Sequence, residues 1–427
     1  MSRPDAYRRR IVDDELDELL EDLPAIAIEG PKGVGKTRTA LQRARTVRRL
    51  DDPAELAVAR AAPHLLLEGE RPVLIDEWQR LPQTWDLVRR AVDDGAAPGT
   101  FLLTGSAFPH PPPMHSGAGR IVTLRMRPLT LAERLATAEI SLAEILSGSR
   151  PPVTGSTSVS LSDYVEEILA SGLPGVRPLA DRARRLQLDG YLDRVVERDI
   201  PDDAGVAIRN PAALRRWMAA YAAASSTTTA LEKIRDAASA GHTHKPSHNA
   251  ARAYRDALAR VWMLDEVQAW TPSNNRLREL GLAPKHQLAD PALAGRLLGV
   301  HATTLLAGQS PGPLISRDGP LLGALFESLA TLSLRVYAAR SDARTRHLRT
   351  ARGRHEVDLV VERPDGGIVA IEVKLAGTVS DDDGRHLAWL EPKVGDRLLD
   401  RMIVTTGRHA YRREDGAAVI PLALLGP

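Results

Sequence analysis

A glycine-rich loop, Gly30-Pro31-Lys32-Gly33-Val34-Gly35-Lys36-Thr37, directly follows the apolar run Ala25-Ile26-Ala27-Ile28. Few folds accept that order. The apolar run suits a strand buried on both faces of a parallel sheet. The segment Thr37 to Arg49 has no Gly or Pro and reads as a helix, whose N-terminus would point its positive end at an anion held by the loop. In the pattern G-x-x-x-x-G-K-[ST], backbone N–H groups curl around phosphate oxygens, Lys reaches the β/γ-phosphates and the hydroxyl ligates Mg²⁺. Lys36 and Thr37 take those roles here, and Gly30, Pro31, Lys32, Gly33, Val34 and Gly35 line the cradle. Only seven lysines stand among 57 basic residues, so a lysine at this place is not the chain's default cation. The ligands this predicts are ATP and Mg²⁺.

A second apolar run, Pro72-Val73-Leu74-Ile75, ends in Asp76-Glu77. On a strand neighbouring the loop strand, Asp76 would hold a Mg²⁺-bound water and Glu77 would orient and deprotonate the attacking water, a Walker B pair. A third run, Thr100-Phe101-Leu102-Leu103, ends in Thr104-Gly105-Ser106, which reads either as a sensor of the γ-phosphate through Thr104 or as an ordinary strand end. Arg120, after Gly119, is the candidate to complete a neighbouring subunit's site, with surface charge as the other reading.

Hydrophobic residues make up 43% and charged residues 26%, which is globular composition and leaves room for two to four domains in 427 residues. A formal charge of +2 implies no general nucleic-acid-binding coat, so any DNA contact has to come from local arginine clusters. With no cysteine there are no disulfides or thiolate metal sites. The N-terminus lacks an apolar signal region and no stretch reads as a transmembrane span, so the expectation is a cytoplasmic protein without membrane contact.

Residues 1–135 alternate strands and charged helices, the pattern of a parallel α/β sheet; Pro109 to Gly117 breaks it as a loop. Residues 136–206 read as a helical lid or connector, interrupted by a linker-like Ser147 to Ser156. Leu188, Leu192, Val195 and Val196 share one helix face. Residues 207–272 read as three helices, Ala212 to Ala224, Thr228 to Ala240 and Ser247 to Val261, then a strand from Leu264. This order resembles a winged helix, with His248, Asn249, Arg252 and Arg255 toward a DNA groove or, alternatively, a spacer. His242, His244 and His248 read as a solvated turn rather than a metal site.

Residues 273–427 form the last unit. Pro320 to Val336 reads as a helix with Leu322, Leu325, Phe326 and Leu329 toward a core and Glu327 beside that face, and Arg335-Val336-Tyr337 as the start of an extended stretch. Glu356 to Glu362 and Ile368 to Lys374 read as a hairpin around Pro364 to Gly367. Asp358 and Glu372 then converge on one face with Lys374, because strand side chains alternate. Two carboxylates suit Mg²⁺ or Mn²⁺ and the lysine suits a scissile phosphate; a charged solvent face would look the same.

Taken in order, the loop, Ile75-Asp76-Glu77-Trp78-Gln79, Leu103-Thr104-Gly105-Ser106, Gly119-Arg120, Pro128 to Glu133, Tyr191 to Ile200, Leu325-Phe326-Glu327-Ser328 and Glu356-Val357-Asp358…Ile371-Glu372-Val373-Lys374 resemble the prokaryotic AAA-type ATPases with a C-terminal domain of unknown function related to PD-(D/E)xK nucleases. The resemblance implies an α/β protein: a P-loop AAA-type parallel sheet with helical lid, winged-helix segment and a C-terminal restriction-endonuclease-like α/β domain. It implies ATP hydrolysis through Asp76 and Glu77 and a nuclease-like site of Glu327, Asp358, Glu372 and Lys374; the leading expectation is an ATPase that couples nucleotide state to the action of this domain on DNA, in a homo-oligomer. Trp78 and Ala107 depart from the family, which has an aliphatic residue and a second Ser there. The rival reading is an ATP-driven switch or assembly factor whose C-terminal domain only binds.

Overall fold

The computed structural model describes residues 7–109, 112, 114, 116–203, 205–241, 246–272, 281–309, 319–350 and 353–427. His242 and His244, like parts of the break between Pro109 and Gly117, lie outside them.

The first layer begins with α1 (Ile11–Asp22) and β1 (Ala25–Glu29), followed by α2 (Lys36–Leu41), β2 (Thr46–Arg49), α3 (Pro53–Ala61), β3 (Val73–Asp76), α4 (Gln83–Asp93), β4 (Phe101–Gly105) and β5 (Val122–Arg125). The sheet order is β2-β3-β4-β1-β5, all parallel. Every residue of β1, β3 and β4 is buried, as continuous apolar runs require when helices cover both faces. Two expectations are corrected. The acidic strand β3 is not next to the loop strand, since β4 lies between them. The helix foreseen over Thr37 to Arg49 ends at Leu41, and Thr46-Val47-Arg48-Arg49 instead pairs with β3; partnership at a sheet edge outweighs the helix-compatible composition.

α5 (Leu131–Leu135) is capped by Thr130, whose hydroxyl accepts from Glu133 N, while Glu133 accepts from Thr130 N at 2.7 Å. β6 (Ile140–Ser141), α6 (Leu142–Leu146) and β7 (Gly155–Ser156) follow. The segment read as a linker ends in structure, since β7 pairs with β12 (His409–Arg412); β6, ahead of that segment, pairs with β14 (Leu425–Gly426). α7 (Leu161–Ala170) and α8 (Asp181–Arg194) lead into a π-helical stretch, Val195–Asp203. Leu188, Leu192, Val195 and Val196 are all buried.

α9 (Pro211–Ala223), α10 (Leu231–Ser239) and α11 (His248–Arg260) precede an antiparallel ribbon in which Leu264 bridges Leu288 and Val267 bridges Lys285. α10 starts at Leu231, later than the expected Thr228, and Thr227 and Thr229 ahead of it bond each other at 2.8 Å. The ribbon's second arm lies beyond residue 272, the boundary drawn from sequence, so the three-helix unit continues past it; Ala269 bridges His347.

α12 (Pro291–Leu297), α13 (Ala302–Leu306) and α14 (Leu321–Arg340) follow. α14 is long and apolar enough to match a membrane span, which the sequence reading missed, but 72% of that window is buried inside the protein. It runs through Arg335 to Tyr337, where an extended stretch was expected; burial on all sides erased the amphipathic signal. The second sheet has the order β7-β12-β13-β11-β10-β9-β8, with β8 (Arg344–Arg349), β9 (Glu356–Glu362), β10 (Ile368–Lys374), β11 (Leu398–Thr405) and β13 (Ala418–Pro421); α15 (Arg385–Val394) joins β10 to β11. β8, β9 and β10 are antiparallel, whereas β10, β11 and β13 are parallel, which makes the sheet mixed.

The apolar core is continuous from Ile26 and Ile28 through Tyr164 to Leu325, Phe326 and Ile371. Phe326 meets Tyr164 edge-on at 5.3 Å. Leu131 N and Ala132 N, free donors of a helix start, are satisfied by Ser333 Oγ and Tyr337 Oη of α14, each at 3.1 Å. Asp265 on the ribbon receives Arg127 at 2.6 Å and Arg335 at 3.2 Å, which ties the first sheet, the ribbon and α14 together.

Candidate nucleotide site and a C-terminal carboxylate cluster

The loop between β1 and α2 is held by its own backbone and by an N-terminal brace. Gly35 adopts φ 107°, a conformation costly for any residue with a Cβ, and a Cβ on Gly30 would stand 2.1 Å from Met126 O. Arg10 donates to Val34 O at 2.9 Å and is itself fixed by Glu133 at 2.8 Å, which gives the Pro128 to Glu133 motif a structural task. Lys36 Nζ donates to Gly30 O at 2.8 Å and Pro31 O at 3.0 Å. Burial lowers its pKa to about 8, with Glu77 and Asp76 pulling the other way.

Thr37 Oγ1 donates to Asp76 Oδ1 at 2.8 Å, and Thr104 Oγ1 donates to the same oxygen. A hydroxyl and a carboxylate one hydrogen bond apart at a helix start are the hard oxygen donors Mg²⁺ takes, so these residues fit that ion. Glu77 sits at φ 55°, left-handed backbone that costs of order 1 kcal/mol or more for a non-glycine residue. Its Oε2 accepts from Ser106 Oγ at 2.7 Å and Gln79 Nε2 at 2.5 Å. The sequence reading placed Asp76, Glu77 and Thr104 at this end of the sheet but missed Gln79 and Ser106 as the pair that orients Glu77. Trp78, the departure from the family pattern, is fully buried against Trp85 at 4.7 Å, in space left by Gly105, where a Cβ would meet its indole at 2.6 Å.

Lys32 points away from the loop and into the π-helical stretch, 2.6 Å from Asp199 and 2.5 Å from Asp203. Tyr191 donates to Lys32 O at 3.3 Å, so the Tyr191 to Ile200 motif is packed on the phosphate loop. At the end of β1, burial pushes Glu29 up to about 7, partly offset by Arg125 and Lys36.

Arg120 lies elsewhere. It precedes Val122, which pairs with Ile26, so it stands at the sheet edge opposite the loop, half-exposed and bonded to Asp93 at 2.7 Å. Arg255, read as groove-facing, is tied to Glu266 at 2.5 Å, whereas Arg252 and Asn249 are exposed and His248 has Glu232 at 3.9 Å.

In the second sheet β9 and β10 pair Ile371 with Leu359, which sets Glu372 opposite Asp358 on one face. Asp358 Oδ2 accepts from Val373 N at 2.9 Å, and Lys374 Nζ reaches Glu372 Oε2 at 2.7 Å. Glu327 of α14 joins them through a residue not singled out before. Lys285, fully buried, lies 2.7 Å from Glu327, 3.2 Å from Asp358 and 3.3 Å from Glu356. Burial pushes Glu327 up to about 8, partly offset by Lys285. Burial and then Asp358 push Glu372 well above the carboxylate range, against Lys374. Burial also raises Asp358, but Lys285 and Lys374 outweigh it and leave that group below its ordinary value. Among the described residues no three His, Asp or Glu side chains are gathered at metal-ligand spacing, so the cluster as arranged does not fit a resident divalent ion. A cavity of about 1000 Å³ opens onto it, rimmed by Lys233, Arg349, Arg385 and His386.

Residues 22–135 match a family model described as an AAA domain. Residues 161–304 and 322–425 match two models described as domains of unknown function, DUF8612 and DUF4143. The chain is 27% identical over 426 residues to the uncharacterized proteins Rv2008c of Mycobacterium tuberculosis and Mb2031c of Mycobacterium bovis, covering 97% of this chain and 83% of each relative. Among solved structures, the Walker-type ATPase PABY2304 of Pyrococcus abyssi overlaps with TM-score 0.38 at 15% identity, covering 69% of this chain and 97% of that one. A Thermotoga maritima RuvB mutant overlaps with TM-score 0.24 at 18% identity, covering 63% and 94%. The first layer is similar, over residues 22–135, to an AAA domain.

Proposed function

We propose that the chain binds and hydrolyses ATP and couples nucleotide state to a C-terminal, nuclease-like domain that acts on DNA. The observation that carries the ATPase reading is the meeting of Thr37, Asp76 and Thr104 on one carboxylate oxygen beside buried Lys36. Lys36 and the loop amides would take the phosphates, and Thr37 with Asp76 would hold Mg²⁺, which supplies charge neutralisation at the phosphates. Glu77, held by Ser106 and Gln79, would take the proton of the attacking water. Arg120 is exposed enough to serve a neighbouring subunit in a homo-oligomer.

For the C-terminal domain, a mixed sheet that sets Asp358, Glu372 and Lys374 on one face, with Glu327 from the adjoining helix, supports the nuclease-like reading. The three helices and ribbon of the middle segment support a winged-helix reading, with Arg252 and Asn249 exposed. Lys285 among the carboxylates favours a second reading, in which this domain binds without cutting.

Nucleotide binding and turnover test the first reading: Lys36→Ala should lose saturable Mg·ATP uptake, and Glu77→Gln should keep it while turnover falls by about a hundredfold or more. Unchanged turnover in the Glu77 variant rejects its role. Plasmid and branched DNA incubated with Mg²⁺ or Mn²⁺ test the second half, where cleavage indifferent to Asp358→Ala and Lys374→Ala rejects the nuclease site.

A further inference from the structure

The π-helical stretch Val195–Asp203 meets the first layer at two places. Asp199 and Asp203 both point at Lys32 of the phosphate loop, at 2.6 and 2.5 Å. Asp203 reaches further, to Arg80 at 3.5 Å. Its carboxylate is 2% exposed, whereas Lys32 is 34% and Arg80 41% exposed, so the anion is enclosed and the two cations reach in from solvent. Arg80 closes the 3-10 turn Trp78–Arg80 that begins directly after Glu77, and its N–H donates to Glu77 O at 3.0 Å. Within that turn Gln79 holds the Glu77 carboxylate, and Arg80 ties the turn to the π-helical stretch. Glu77 has need of such a tie: left-handed backbone at a non-glycine residue persists only where its surroundings hold it. The Lys32 backbone is held separately, by Tyr191 at 3.3 Å, so its ammonium can change partner while the loop keeps its seat.

We propose that Asp203 is a positioning residue, which passes phosphate occupancy at Lys32 to the turn that follows Glu77. Lys32 and Arg80 share its carboxylate in the arrangement seen here. Phosphate oxygens on the loop amides attract the Lys32 ammonium, and as it turns to them Asp203 is left to Arg80. A buried carboxylate that loses one of two counter-charges holds the other more strongly, because little solvent is present to replace it. Arg80 is then drawn in, and the turn that sets the direction of Glu77 is fixed while nucleotide is bound. Among the described residues Asp199 is paired with Lys32 alone, so it shares in the competition for the loop and not in the tie to the base. The effect on turnover rests on the ATPase reading; the tie itself does not.

The test is hydrogen exchange over Glu77 to Leu81 in the full-length protein, with and without Mg²⁺ and a non-hydrolysable ATP analogue, beside steady-state ATP hydrolysis. In the parent the analogue should slow exchange in that turn by about threefold or more. Asp199→Asn should keep the slowing, whereas Asp203→Asn and Arg80→Ala should each lose it while binding the analogue no more weakly than the parent. In both of these kcat should fall by about three- to tenfold with KM not raised. Arg80→Lys, which retains the cation, should keep most of the slowing and of the turnover, and Asp203→Asn combined with Arg80→Ala should lose no more than either change alone. Arg80 lies at the surface, so its variants read the tie even where the Asp203 variant fails to fold. Slowing that survives Asp203→Asn or Arg80→Ala overturns the proposal, as do losses that multiply in the double variant. A parent that shows the slowing, and loses it in Arg80→Ala, yet hydrolyses no ATP rejects the ATPase reading and keeps the tie. A parent that hydrolyses ATP without any slowing keeps the ATPase reading and overturns the proposal, and one that takes up no nucleotide overturns both.

Discussion

The ammonium of Lys32 stands 2.6 Å from Asp199, so a residue of the phosphate loop is bonded to the π-helical stretch that follows α8. Asp203 shares it at 2.5 Å and also faces Arg80 at 3.5 Å. Nucleotide phosphates entering the loop would compete with these two carboxylates for the same cation. Asp199→Asn should therefore tighten nucleotide binding by about three- to tenfold, since it removes a repelling charge and loosens the hold on Lys32. Titration with a fluorescent ATP analogue reads this, and weaker binding would reject the competition.

Lys36 has a pKa lowered to about 8 by burial. Bound phosphate oxygens favour the charged ammonium and raise that value, so binding above pH 8 must take up a proton. Affinity for Mg·ATP should be flat between pH 6.5 and 7.5 and fall by up to about tenfold per pH unit above 8. Calorimetry in buffers of different ionisation enthalpy should show proton uptake only in the upper range.

Ser106→Ala removes one of the two groups that hold Glu77 Oε2. Turnover should drop by about tenfold while nucleotide affinity stays within about twofold, because the change touches the orientation of the base and not the phosphate cradle. Steady-state hydrolysis beside equilibrium binding separates the two.

Asp265 accepts from Arg127 and Arg335 and is almost enclosed, its side chain 12% exposed. Asp265→Ala would leave those cations buried and unpaired, which should cost about 3–5 kcal/mol by urea denaturation. Replacing Arg127 and Asp265 together should cost less than the two single changes added, because the pair is removed as a unit.

The loop, the acidic strand end and the β9–β10 hairpin were legible because each joins a short periodic pattern to residues whose chemistry is local in sequence. Ile368 to Lys374 was read with the bounds the strand has. What escaped depends on partners far away in the chain. β8 was not foreseen as a strand, and Thr46 to Arg49 becomes one only because β3 lies alongside. Lys285 gave no signal at all: one lysine beside a histidine, given meaning by Glu327 and Asp358, 42 and 73 residues further on. Gln79 and Ser106 had a weaker trace, since they lie three residues and one residue beyond strand ends already flagged. The order of β3 and β4 beside β1 could not be read from strand patterns, because burial on both faces makes every central strand look alike.

Thr137 donates its hydroxyl to Ala423 O, 286 residues further along, and β6 beside it pairs with β14. During synthesis at about 5–20 residues per second, Ile140, Leu142 and Ile145 therefore wait roughly a quarter of a minute to a minute for the strands that will cover them. A nascent chain with its first layer already assembled therefore still trails uncovered apolar side chains until its last strand arrives.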